Sequence, residues 1–128
     1  PSDTVAVLPP GNRDGGVSRL GLDIAESLQT RLFNKGRFRL LERGRIDSVL
    51  EELEFSQGAF VSEGARSNFG ELSGAKHIVT GTLAPEDEYI RCSLRIVEIR
   101  TGVVLSAAEA YIRRTGEVYS RYLQAFEK

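Results

Sequence analysis

The chain predicts a single mixed α/β domain: a five-stranded sheet in the order 2-1-3-4-5, wrapped by helices. Three observations carry that reading. Short β-branched apolar runs alternate with helical stripes through the first two thirds of the 128 residues, as strands joined by helical crossovers do. The last third holds three strand-like segments separated by turns so short that only an antiparallel meander fits. The length is that of about one domain, enough to bury a core without disulfides.

Taken in order, residues 4–8 (TVAVL) are apolar and β-branched and stop at Pro9-Pro10, which marks a buried first strand. Residues 11–16 form a polar, glycine-rich loop. Val17, Leu20, Ile24, Leu28 and Leu32 then recur at spacings of three and four, the stripe of an amphipathic helix. Asn34, Lys35 and Gly36 supply its stop, with Gly36 suited to the left-handed position past the last turn. Residues 38–41 read as a short second strand, and Ile46, Val49, Leu50 and Leu53 as the apolar face of a second helix. Residues 55–60 are a loop. Ala65, Phe69 and Leu72 mark a third helix, with Ser62 as its cap and Gly74 as its terminator. Residues 77–83 are a third strand, Glu86-Asp87 a turn, and 89–99 a long fourth strand. Thr101-Gly102 makes a hairpin turn into a fifth strand over 103–112. Val118, Tyr122, Leu123 and Phe126 give a final helix, so the order is βαβααβββα.

Connection rules arrange these pieces. Strand one reaches strand two through one helix and strand two reaches strand three through two, both compatible with right-handed parallel crossovers. Adding the antiparallel meander gives 2-1-3-4-5, with the second and fifth strands at the edges. Tyr111, Tyr119 and Tyr122 are read as caps on the core in preference to partner contacts.

Composition narrows function by what it leaves out. Seventeen basic residues against eighteen acidic give a net charge of −1, so no general attraction to nucleic acid is expected. Arg31, Lys35, Arg37, Arg39, Arg43 and Arg45 crowd one third of the chain, but read best as a solvated face paired with nearby carboxylates. The single cysteine, Cys92, lies on the apolar face Ile90-Cys92-Leu94-Ile96 and reads as a small buried thiol. One histidine, His77, and one cysteine cannot build a zinc site in a monomer, and His77 at a strand start reads as solvated or hydrogen-bonded. Glu51, Glu52 and Glu54 read as a wet helix face, not an acid–base pair. No catalytic residue, cofactor site or metal site is assigned, and the chain is expected not to be an enzyme.

Residues 11–16 follow a strand and precede a helix, where a phosphate loop would sit. They lack the Gly-Lys-Ser/Thr ending of a P-loop and the spacing of a dinucleotide fingerprint. Gly15 and Gly16 are therefore carried forward only as a weak anion-loop candidate.

Five ordered segments carry a family resemblance: TVAVLPP, LGLDIAESLQTRL, GRFRLLERGRIDSVLEEL, LSGAKHIVTGTL and RCSLRIVEIRTGVVLSA. Together they resemble the CsgG-type domain of bacterial envelope proteins, over about residues 4 to 112. That group takes in the curli-secretion lipoprotein, the flagellar FlgO proteins and lipoprotein activators of penicillin-binding proteins, and the chain is also similar to the N-terminal domain of TolB. The matched signature residues are Gly36, Glu42, Arg43, Gly81 and Gly102. Glu42-Arg43 ends the second strand and begins a helix, where Arg43 reads as bonding carbonyls or a carboxylate. Gly81, in mid-strand, would let another element approach closely.

The resemblance implies a non-catalytic protein-binding or assembly domain, periplasmic and associated with the outer membrane. Its partners would be other envelope proteins or further copies of itself, not nucleic acid. Membrane contact is expected only through an anchor outside this chain, and residues 1–128 read as one domain cut from a longer envelope protein. No segment is spare for the long membrane-crossing hairpins of a curli-type pore. The alternative is a TolB-like sensory or regulatory domain of a signalling protein, holding a small anion at residues 11–16.

Overall fold

The computed structural model describes residues 4–14, 16–53 and 63–124. Its sheet is built outward from β1 (Thr4–Val7), whose last three residues are buried. A strand of consecutive apolar residues must be covered on both faces, and β1 lies between two parallel neighbours. On one side Thr4 and Val5 pair with Arg39 and Leu40 of β2 (Arg39–Leu40). On the other, Val5, Ala6 and Val7 pair with His77, Ile78 and Val79 of β3 (His77–Pro85). Antiparallel ladders then add β4 (Tyr89–Glu98) and β5 (Val104–Arg113), giving the predicted order β2-β1-β3-β4-β5.

The helices are α1 (Arg19–Asn34), α2 (Arg43–Glu52), α3 (Glu63–Ser73) and α4 (Gly116–Leu123). Ser18 starts α1: its hydroxyl accepts the Gly21 N–H at 3.1 Å in a fully buried site, relieving one orphan donor of the first turn. Thr115 does the same for Val118 at the start of α4, at 3.2 Å. The Arg19 N–H donates to the Gln124 carbonyl at 2.9 Å, tying the start of α1 to the end of α4. Arg45 donates to the Leu72 carbonyl at 2.6 Å, satisfying a free acceptor in the last turn of α3.

Two layers cover the sheet. On one face α2 and α3 bury Ile46, Val49, Leu50 and Phe69 against Ala6, Leu8, Ile78 and Val97. On the other, α1 sets Ala25, Leu28 and Leu32 against Val5, Val7 and Val79. Leu83, Ile90 and Cys92 continue that second face beneath Leu20 of α1 and Val118, Tyr119 and Tyr122 of α4. Ile90, Cys92, Leu94 and Ile96 thus all point to the core side, as their alternation requires.

The second strand is shorter than its 38–41 reading. Only Arg39 and Leu40 pair as a strand, although the Leu41 N–H still reaches the Val5 carbonyl at 2.9 Å. The expected cap Ser62, the 55–60 loop, Glu54, Phe126 and Gly15 lie outside the described residues. No described helix is long and apolar enough to cross a membrane.

Candidate functional site, an interaction surface

β5 is exposed along its whole length apart from a half-buried Ile112. This is unusual because its letters are apolar: Val104 is 49%, Leu105 54% and Tyr111 55% accessible. The β4–β5 ladder explains which side chains share a face. Tyr89, Arg91, Ser93 and Arg95 stand opposite Arg113, Tyr111, Glu109 and Ala107, and successive residues of a strand point to opposite sides. This set lies on the face that α2 and α3 cover farther along, but those helices reach only as far as Val97. Over the meander no described helix covers this face.

The bare face has its own order. The Tyr89 and Tyr111 rings meet edge to face with centroids 6.2 Å apart, and the Arg113 guanidinium lies 5.7 Å from the Tyr89 ring centre. Arg91 pairs with Glu86 at 3.4 Å. Glu109 accepts long hydrogen bonds from Ser93 Oγ at 3.5 Å and from the Tyr111 hydroxyl at 3.4 Å. Arginine and tyrosine are the side chains that most often anchor protein contacts. Tyr111 therefore does not cap the core. Its strand is an edge with no described helix over that face, whereas Tyr119 and Tyr122, stacked at 5.9 Å, do pack on the core.

The other face of β5 carries Ser106, Ala108 and Ala110, opposite Ile96, Leu94 and Cys92. Beside Ser106 and Ala108 an apolar slot of about 120 Å³ opens between Leu28 and Leu32 of α1 and Leu94 and Ile96 of β4. A register shift at Ile96/Val97 sets an extra β5 residue into the ladder there, the geometry of a β-bulge.

The residues singled out from sequence are scattered, not gathered. Gly36, at a φ of 70°, ends α1, its N–H bonded to the Phe33 carbonyl at 3.0 Å. Glu42 caps α2 through its carbonyl, which accepts from Arg45 and Ile46 at 3.0 Å, and its side chain makes no cap bond. Arg43 pairs with Asp47 one turn on, at 2.9 Å. Gly102 turns the β4–β5 hairpin at a φ of 75°, a conformation that costs an L side chain strain. Gly81 has no room for a Cβ, which would fall 2.0 Å from the Ser93 carbonyl oxygen of β4. Its own carbonyl accepts the Gly11 N–H at 3.0 Å, fastening the 11–16 loop to β3.

Of the two glycines read as an anion-loop candidate, only Gly16 is among the described residues. The Gly16 N–H is bonded to Asp14 Oδ1 at 2.8 Å, and the Gly16 carbonyl accepts the Asn12 N–H at 2.8 Å. The donor is occupied and the occupying group is itself negative.

A wider cleft of about 750 Å³ is lined by Ser67, Glu71, Lys76, His77, Glu98 and Arg100. His77 sits directly across the ladder from Glu98, whose carboxylate takes a hydrogen bond from the Thr101 hydroxyl. Both charge signs are present, with Lys76 and Arg100 exposed to water. No described cluster of His, Cys, Asp and Glu could hold a metal ion. Burial raises the Cys92 thiol pKa, which keeps it a neutral packing group. Burial foremost, then Asp14 and Tyr119, also raises the Tyr122 phenol, against an opposing Arg13.

Sequence reasoning missed Tyr89, Arg91, Arg95, Glu109, Tyr111 and Arg113 as a group. The signal was the polar phase of the fourth strand, Arg91-Ser93-Arg95, interleaved with the apolar phase that located the core. A clean polar alternate marks a strand with one wet face.

These features define a class: a mixed α/β scaffold with one blunt sheet edge, one bare edge and a half-covered meander. Within it, residues 12–117 match the FlgO protein family, and the chain belongs to that family. Solved structures of like fold include the LpoB C-terminal domain from Salmonella enterica, with a TM-score of 0.69 at 15% identity, covering 88% of this chain and 84% of that one. Lipoprotein GNA1162 from Neisseria meningitidis gives 0.68 at 15% identity, over 89% and 82%. TolB from Acinetobacter baumannii gives 0.51 at 12% identity, over 88% of this chain and 24% of that one. At these identities the likeness is one of fold. No curated protein sequence matches the chain.

Proposed function

We propose that this chain is a protein-docking and assembly domain of the bacterial cell envelope, without catalytic activity of its own. The observation that carries the reading is β5: a ten-residue edge strand with Val104, Leu105 and Tyr111 left in water. Natural sheets usually blunt such an edge, because its free N–H and C=O groups invite another strand. An edge left bare beside an arginine–tyrosine face is a surface for recruiting protein, by strand addition, side-chain anchoring or both. Membership of the FlgO family and a fold shared with a lipoprotein, GNA1162, support a periplasmic, outer-membrane-associated setting. The wider CsgG-type kinship rests on the five sequence segments and adds the expectation of oligomeric relatives.

The sensory alternative gains nothing from the geometry, since the Gly16 donor is taken by the Asp14 carboxylate. A photo-crosslinking residue placed at Ala107, with a control at exposed Glu26 on α1, tests the docking reading in intact envelopes. Defined adducts are expected at Ala107 and not at Glu26. An absence of adducts at Ala107, or equal labelling at both positions, removes the proposal.

A further inference from the structure

The hydrogen-bond phase of β5 can be read from a single bond. The Arg114 N–H donates to the Glu88 carbonyl at 2.8 Å, one step beyond the Tyr89↔Arg113 pair. In an antiparallel ladder, bonded and non-bonded positions alternate. Ile112, Ala110, Ala108 and Ser106 therefore turn their backbone groups toward β4. Arg113, Tyr111, Glu109 and Ala107 turn theirs outward, and these same residues carry the side chains of the bare face.

From Ala107 to Arg113 the row runs without interruption, the bulge lying beyond it at Leu105. Val104–Arg113 contains no proline and no lysine, and its only charges are Glu109 and Arg113. A second copy approaching antiparallel must pair outward residues with outward residues, which leaves a short series of registers. One sets Glu109 against itself, like charge on like. Others set Glu109 against Ala107 or Tyr111 and leave both charges unanswered. Centring the pair on Tyr111 places Glu109 opposite Arg113 of the second copy, and two-fold symmetry repeats the match.

The geometry points to an isologous dimer in which β5 pairs antiparallel with β5 of a second copy about Tyr111. The two sheets become one, with two symmetric Glu109–Arg113 cross-strand pairs. This deepens the docking reading above and rests on it, since it names the first occupant of the bare edge.

The test is a charge-swap cycle in the whole chain. Sedimentation velocity from micromolar to sub-millimolar concentration is expected to show a monomer–dimer equilibrium. Glu109→Arg and Arg113→Glu each set like charges opposite one another twice. Each is expected to raise the dimer dissociation constant by about tenfold or more, and the double swap to restore it. Both positions are exposed, and circular dichroism checks that each variant is folded. Independently, Tyr111→Cys in a Cys92→Ala background is expected to form an intermolecular disulfide under mild oxidation. Facing residues of a bonded antiparallel pair have Cα atoms about 5.5 Å apart, within disulfide reach. A monomer at every concentration overturns the inference, as does a dimer indifferent to the swaps. Monomeric protein that still gives envelope adducts at Ala107 overturns the dimer alone; loss of both ends the docking reading too.

Discussion

β2 closes one edge of the sheet with two residues, Arg39 and Leu40, while β5 runs ten residues along the other. At the β2 edge Arg37 and Arg39 are exposed and Leu40 packs inward beside Phe38, so a charged, abbreviated strand offers no template. At the β5 edge the strand is long, nearly uncharged and bare on one face. The two edges flank the same core and share its helices, yet only one is protected. Coverage follows the connections. Helical crossovers lay α1, α2 and α3 over the parallel half, whereas the hairpins joining β3, β4 and β5 bring no helix with them. Only α4 returns, on one side.

That contrast can be broken from the covered side first. Phe69 is the largest fully buried side chain among the described residues, and Phe69→Ala is expected to cost about 3–5 kcal/mol through the cavity it leaves. Urea unfolding monitored by circular dichroism reads the loss. At the boundary between the halves, Gly81→Ala drives a methyl group into the Ser93 carbonyl and Leu94, for an expected loss of about 1–3 kcal/mol by the same measurement.

Smaller again is an alkaline effect from Cys92. Burial lifts its pKa above the ordinary 9.0, so the folded state keeps the proton at a pH where the unfolded state releases it. Its contribution is complete below about pH 9 and declines as pH rises from there through the folded value. Cys92→Ala is expected to remove that component from a plot of stability against pH. Least of all, Leu105→Ser on the bare edge is expected to change stability by no more than about 0.5 kcal/mol. A loss at Leu105 comparable with that at Phe69 would erase the contrast between covered and uncovered halves.

The strand order was legible because it depends on connection length: two helix-bearing links and two hairpins admit few arrangements. The core phase Ile90-Cys92-Leu94-Ile96 was legible because one missing letter would have broken it. Exposure of β5 was not. Tyr111 reads as a cap on the core and Val104 and Leu105 are apolar too, but an apolar letter does not say whether anything stands over it. The bulge at Ile96/Val97 added to this, because an extra residue shifts which side each later side chain takes. The shortening of β2 was hidden as well. Phe38 and Leu41 both touch the core clusters, so their letters look like strand although only Arg39 and Leu40 keep the pairing.

The bond from the Arg19 N–H to the Gln124 carbonyl joins positions near opposite ends of the described chain. A closure spanning so much sequence carries a loop-entropy cost that the contacts formed in between must offset. α4 is also the shortest of the described helices. When it lifts, Leu83, Ile90 and Cys92 lose Val118, Tyr119 and Tyr122. Of the described helices, α1 alone, through Leu20 and Ile24, would then remain over those residues.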